Sequence, residues 1–413
     1  MTSVIEINNA NIRPKYNNEE KTEKIFEANH AMAYNEFFES FLIENKPCIF
    51  EREATANWPS RRIWNVCNAP NFELLKKCFG DCKVPVANCN EKYFNSHHRE
   101  DMFIESYINY WTEYRKSDYS NKLPLLYLKD WHCVKSHSNN AIYNVPKYFA
   151  SDWLNEYYTA HQNLNDDYMF IYMGPKGSWT PFHVDVFTSY SWSANIVGRK
   201  RWLLFPPGQE NHLRSKKGEL PYNITSEELN NASKHKSLKC YDIIQESGQI
   251  IFVPSGWHHQ VWNLEDTISI NHNWLNGCNI LNIWKSLKKA LNAVIKEIRD
   301  IKSLDGWTMD CQRVLKADFG MNYFQFYEFL SFIAEKRLNS VINNVPIKSF
   351  KQWNLGRKHC LFDLRQIEIV LENFIEDSSE KEISSMLWKN NEAQLLENRI
   401  KSVINQYGTK CQK

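Results

Sequence analysis

The segment TPFHVDVF, Thr180 to Phe187, sets a histidine and an aspartate two residues apart, His183 and Asp185. In an extended chain the side-chain period is two, so both groups face the same way. Further on, IFVPSGWHHQVWNL, Ile251 to Leu264, supplies imidazoles at His258 and His259. Two imidazoles and one carboxylate on neighbouring strands form the donor set that holds non-haem iron on one face and leaves other positions open. Open positions are what oxygen activation needs, two for a chelating keto acid and one for O2. An H-x-D pair alone is weak evidence, since such triplets arise by chance and many His–Asp pairs are only hydrogen-bonded couples. Strand periodicity does not choose between His258 and His259; it says only that they face opposite ways.

The elements that must position these groups are short and β-rich. Strands are predicted over 168–173, 188–197, 201–205, 248–253, 259–264 and 267–274, punctuated by Gly198 and by Pro206–Pro207–Gly208. Many short strands at such intervals indicate a sandwich or barrel. The polar stretch 209–241 reads as an insertion on one edge. LPLLYLKDW, Leu123 to Trp131, reads as a buried strand that leaves the core at Lys129–Asp130. After Gly277 the pattern turns helical, with Ile280, Ile283, Trp284, Leu287, Leu291, Val294, Ile295 and Ile298 on one stripe. Further helices are expected over 323–332 and 366–374, packed on the core. Upstream, helical spacing predicts a helix over 23–41, and the Asn-rich residues 1–20 read as a loosely held, flexible arm.

Composition bounds the rest. The 413 residues are 43% hydrophobic and 24% charged with a formal net charge of +2, and 15 Trp, 20 Tyr and 23 Phe suit a β-rich core or a lined cleft. A near-neutral balance offers no electrostatic footing for nucleic acid, and none is expected as a partner. The 11 cysteines are scattered, with no C-x-x-C pair, which fits free thiols in a reducing compartment. Neither a signal peptide nor a membrane-spanning run is visible, which points to the cytoplasm or nucleus. The clusters Arg199–Lys200–Arg201 and Arg214–Lys216–Lys217 read mostly as solvated surface.

Four motifs raise the His–Asp pair above chance. GSWTPFHVD, GRKRWLLFPP, VPSGWHHQVWNL and TISINHNW occur in this order, and together they resemble the jumonji-C (JmjC) oxygenases. The resemblance is strong over 151–277 and thinner at KPCIF (46–50) and YLKDWH (127–132). It implies a mainly β fold, a double-stranded β-helix of jelly-roll or cupin type, with N-terminal α/β elements over 21–150, the core over 151–277 and a helical region over 278–413. It implies an Fe(II) centre held by His183, Asp185 and His259, the last chosen as the His of a G-W-x-H pattern. It further implies 2-oxoglutarate and O2 as cosubstrates, with Lys200 pairing the far carboxylate, hydroxyls from Thr180 and Tyr127 beside it, and Asn271 contributing from the last strand. No catalytic side chain beyond the metal triad is implied. Many relatives carry an Asn ahead of the lysine where Ser191 and Ser193 stand here, with Asn195 nearby.

Within the family the wording is most similar to the lysyl hydroxylases of the eukaryotic peptide-chain release factor. That similarity implies a protein substrate, hydroxylation of a lysyl side-chain carbon, promotion of translational termination and a cytoplasmic site of action. Two alternatives use the same barrel: an N-methyl-lysine demethylase of histones or other proteins, and a non-catalytic binding scaffold. A cupin-type isomerase or storage protein is disfavoured by Lys200 and the FPPG context.

Overall fold

Alternation of apolar and polar residues builds two sheets that enclose a cavity between them. The computed structural model describes residues 3–16, 24–136, 142–164, 166–224, 238–380 and 390–408. Numbering strands along the chain, the larger sheet has nine. They run in the order β2 (Phe26–Ala28), β3 (Cys48–Phe50), β14 (Ile250–Val253), β11 (Tyr190–Val197), β16 (Thr267–Trp274), β9 (Met169–Gly174), β8 (Leu126–Trp131), β6 (Lys83–Tyr93) and β7 (Ser96–Phe103). The smaller sheet runs β10 (Trp179–His183), β15 (His258–Asn263), β12 (Lys200–Phe205) and β13 (Tyr241–Gln245). A two-stranded hairpin, β4 (Asn65–Val66) with β5 (Ala69–Pro70), and a three-stranded sheet of β1 (Ser3–Ile5), β18 (Trp353–Leu355) and β17 (Ile347–Ser349) complete the set.

The predicted strands of the core are present, with ends shifted by one or two residues. The 267–274 strand matches in full, and Gly198 (φ +80°) makes the turn that carries the chain from β11 of the larger sheet to β12 of the smaller one, where an added Cβ would strike the Asp266 carbonyl oxygen at 2.2 Å. In the larger sheet β14, β11, β16 and β9 are antiparallel neighbours, and so are all four strands of the smaller one. Apolar side chains from both sheets, among them Ile49, Ile251, Val253, Trp202, Leu204 and Val261, pack into one cluster.

Three expectations need correction. The helix predicted over 23–41 exists only from Tyr34, as Tyr34–Phe37 followed by one wider π turn, Phe38–Leu42. Phe26–Ala28 instead adds a parallel edge strand to β3, because sheet hydrogen bonding outweighs an apolar spacing that suits either structure. Nor do residues 3–7 lie free: β1 pairs with β18, and Ile5 and Ile7 are buried, since two isoleucines gain more by burial than an Asn-rich context suggests. Residues 1–2 and 17–23 lie outside the described residues. Finally, the expected boundary at 150 is not a break in the sheet. Strands β2, β3, β6, β7 and β8 extend the same sheet that carries β9, β11, β14 and β16.

The helical region follows the predicted stripe. Ile280–Glu297 buries Ile280, Ile283, Trp284, Leu287, Leu291 and Val294, and the later helices are longer than expected, Tyr323–Asn343 and Arg357–Glu380, with a further one at Asn390–Gly408. Their apolar faces join the same core cluster as the N-terminal elements and the larger sheet. Of the 209–241 insertion, a 3-10 turn at Gln209–Leu213 and residues to Ile224 are described, and 225–237 lie outside the described residues.

Candidate metal centre and the pocket beside it

His183 ends strand β10, and its Cα partner across the sheet is His259 of β15. The pairing brings the two rings to 4.3 Å between centroids. Asp185 lies beyond the strand, still extended (φ −61°, ψ 152°), and its Oδ1 is 3.9 Å from His183 Nε2. One donor atom from each of the three lies within 4.8 Å of the others.

Each imidazole is oriented by its own backbone. His183 Nδ1 sits 2.8 Å from the Pro181 carbonyl oxygen and His259 Nδ1 3.0 Å from that of Trp257. A carbonyl only accepts, so both Nδ1 atoms carry the proton and both Nε2 lone pairs are left for a ligand. Burial, and then the neighbouring His259, push His183 down to about 3, so that imidazole is neutral, the form that binds metal. Ser191 Oγ donates to Asp185 Oδ2 at 2.6 Å and fixes the carboxylate. His258 points the other way, against Phe182 at 5.5 Å and toward Glu210.

Beside these three residues lies a cavity of about 570 Å³ between the sheets. At its deep end Lys200, only 2% exposed, donates to Asn263 Oδ1 at 2.8 Å and to Tyr127 Oη at 3.2 Å. Burial first and the nearby Lys129 second push its ammonium down to about 7. The surface reading of the 199–201 cluster therefore holds for its flanks alone. Arg199 pairs with Glu246 and Arg201 with Asp242, while Lys200 turns inward with the strand alternation. Tyr127 approaches the backbone of Gly174 so closely that a Cβ there would meet its ring at 2.5 Å.

Thr180 and Asn271 both line the cavity; the Asn271 amide is 3.3 Å from Ser269 Oγ and from the Ser269 carbonyl oxygen. Of the polar residues that replace the expected Asn, Ser191 serves Asp185, and Ser193 lines the cavity with a buried hydroxyl that has no partner among the described residues. Asn195 is buried outside the cavity and donates to the Gly198 carbonyl, a turn role and not a ligand role.

Sequence reasoning missed Asn263, whose bond to Lys200 depends on a cross-strand register no local signal reveals. It also missed Lys129, which lies two residues after Tyr127 on β8 and lines the cavity with it. Strand periodicity carried that signal.

The donor set fits a metal of the iron class: two imidazoles and one carboxylate, with the adjoining cavity leaving the rest of the coordination sphere open. A buried cation and an orphaned hydroxyl in the same cavity fit an anionic chelator.

The JmjC model, described as "JmjC domain, hydroxylase", matches residues 170–274. The 2-oxoglutarate and iron-dependent oxygenase JMJD4 of Gallus gallus is 46% identical over 373 residues, 86% of this chain and 87% of that protein. The Homo sapiens protein of the same name is 44% identical over 84% and 83%. The arginine-specific demethylase JMJ20 of Arabidopsis thaliana is 40% identical over 81% and 74%. Identity at this level, over most of both chains and not the core motifs alone, makes the chain a member of the JmjC family and, within it, of the JMJD4 group of 2-oxoglutarate and iron-dependent oxygenases.

Proposed function

We propose that this protein is an iron- and 2-oxoglutarate-dependent protein hydroxylase that oxidises a lysyl side-chain carbon of the eukaryotic peptide-chain release factor and so promotes termination in the cytoplasm. The observation that carries the chemistry is the convergence of His183, Asp185 and His259 at one wall of a cavity whose far end presents a buried lysine. The two sheets are read as the double-stranded β-helix of the family, with the residues 151–277 as its core unit.

His183 and His259 would hold iron through Nε2 and Asp185 through Oδ1. When bound, the metal and keto acid together supply the oxidising power that an unactivated C–H bond requires, with succinate and CO2 as the co-products. The chain's own residues do the rest. Lys200 neutralises the far carboxylate of 2-oxoglutarate, Tyr127 and Thr180 offer hydroxyls beside it, and Ser193 and Asn271 offer further polar contacts. Tyr172, Phe170 and Trp202 wall the cavity and exclude water. No side-chain base is needed.

One observation favours a second reading: the plant relative is named a demethylase, and removal of a methyl group begins with the same hydroxylation at an N-methyl carbon. Incubating the iron-loaded protein with recombinant release factor, 2-oxoglutarate and O2, then mapping peptides by mass, separates the two. Gain of one oxygen on a lysyl residue supports hydroxylation. Loss of a methyl from a methylated peptide, with no change in the release factor, would replace it by demethylation.

A further inference from the structure

Lys129 is the second lysine of the cavity beside Lys200. It is 5% exposed. The strand alternation of β8 turns it to the same side as Tyr127, and both line the cavity. Its ammonium lies 5.8 Å from the centroid of the Tyr127 ring and 5.7 Å from that of Tyr172, with no hydrogen-bond acceptor for it among the described residues. The carboxylate next to it in sequence, Asp130, also lines the cavity and attracts Lys129, but its oxygens are bonded to Arg99 and to the Tyr172 hydroxyl. Lys200 Nζ stands 5.8 Å from the centroid of that same Tyr127 ring. Two buried ammonium groups thus flank one aromatic ring. Aromatic faces attract a cation weakly, by far less than burying it costs. A protein keeps such a pair when an anion with more than one negative charge arrives to meet it.

The strand register tells which end of that anion each lysine meets. Tyr127 touches Lys200 at the deep end. Along β8 the partners on β9 run from Met173 (opposite Leu128) to Ile171 (opposite Trp131), and Phe170 of β9 is paired with Asn271 of β16. Asn271 and Asn273 are paired with Ser193 and Ser191, the latter bonded to Asp185. Moving from Tyr127 to Lys129 is therefore a step from the deep end toward the metal residues.

We propose that Lys129 is a second cationic contact for the keto acid, holding the carboxylate nearer the metal while Lys200 holds the far one. This rests on the 2-oxoglutarate reading above and adds a residue to it.

The test compares wild type, Lys129→Met, Lys129→Gln and Lys200→Met, each loaded with Mn(II) so that no turnover occurs. Affinity is measured by calorimetry on the acid side of neutrality, where Lys200 keeps its proton in wild type and in both Lys129 variants. Two ligands are used: 2-oxoglutarate, and 2-oxopentanoate, in which a methyl group replaces the far carboxylate. Methionine keeps the length and packing of the lysine stem, and an unchanged thermal midpoint confirms folding. Both Lys129 variants should bind each ligand about tenfold more weakly than wild type, the change a lost charge-assisted hydrogen bond produces. Lys200→Met should lose affinity for 2-oxoglutarate alone. Unchanged affinity of folded Lys129 variants for both ligands would overturn the proposal, as would a loss confined to 2-oxoglutarate. Should wild type itself fail to bind 2-oxoglutarate, the cosubstrate reading falls before Lys129 is reached.

Discussion

The two oxygens of Asp185 have different tasks: Oδ1 faces His183, and Oδ2 accepts from Ser191. Groups that orient a metal ligand tune its affinity, and their loss typically costs about 10- to 100-fold. Ser191→Ala should therefore weaken metal binding by about that factor, read by competition with a chelating dye, while the fold persists. Lys200 yields a pH prediction. Its ammonium must be charged to pair a carboxylate, and burial with Lys129 has brought it to about 7. Below that value the free protein already holds the proton; above it, binding must take one up from water. The KM for 2-oxoglutarate should thus be flat on the acid side and rise by up to about tenfold per pH unit above neutrality. Lys200→Ala should raise that KM at every pH and remove this rise. A flat profile in the wild type would mean the lysine stays charged throughout.

Strand packing places the Tyr127 ring where Lys200 needs it, and Gly174 of β9 permits this by having no side chain. Gly174→Ala should push the ring away and raise the 2-oxoglutarate KM while kcat at saturation changes little. A loss of kcat with unchanged KM would place Tyr127 elsewhere in the reaction. At this scale much was legible in the sequence. Short apolar segments bounded by Gly and Pro marked β9, β11, β12, β14, β15 and β16, and a single apolar stripe marked the helix from Ile280. Two strands of the smaller sheet were harder to see. Neither β10, with Pro181 inside it, nor β13, at the end of a polar stretch, has the apolar run that announces a strand. His183, Asp185 and Lys200 were visible because motifs surround them. Asn263 and Lys129 matter through register and alternation, which emerge only when strands pair.

Across the whole molecule, the helical region is tied to the core through buried charge as well as apolar packing. Arg337, fully buried, donates to both oxygens of Glu156 at 2.8 and 2.7 Å and to Asp363 Oδ2 at 2.7 Å, joining three helices. Removing the guanidinium leaves buried Glu156 with Lys336 as its ion-pair partner and buried Asp363 with Trp153 and His359, a loss of about 3 kcal/mol for such clusters. Arg337→Met should lower the denaturant midpoint accordingly. Breaking the exposed Arg399–Glu335 pair by Arg399→Met should cost less than about 1 kcal/mol, since solvent screens it. Equal effects would mean that the buried cluster adds nothing to the docking of the helices. Among the described residues no helix is long and apolar enough to cross a membrane.

His183, Asp185 and His259 would together hold one ion and leave it room for a keto acid. Anaerobic titration with Fe(II) and then 2-oxoglutarate, followed by the charge-transfer absorption that arises only when a keto acid chelates the metal, tests this directly. Wild type should develop the band at stoichiometric iron, and folded His183→Ala and Asp185→Ala proteins should not. A wild-type band in folded Asp185→Ala would place the metal, and the reaction, somewhere else.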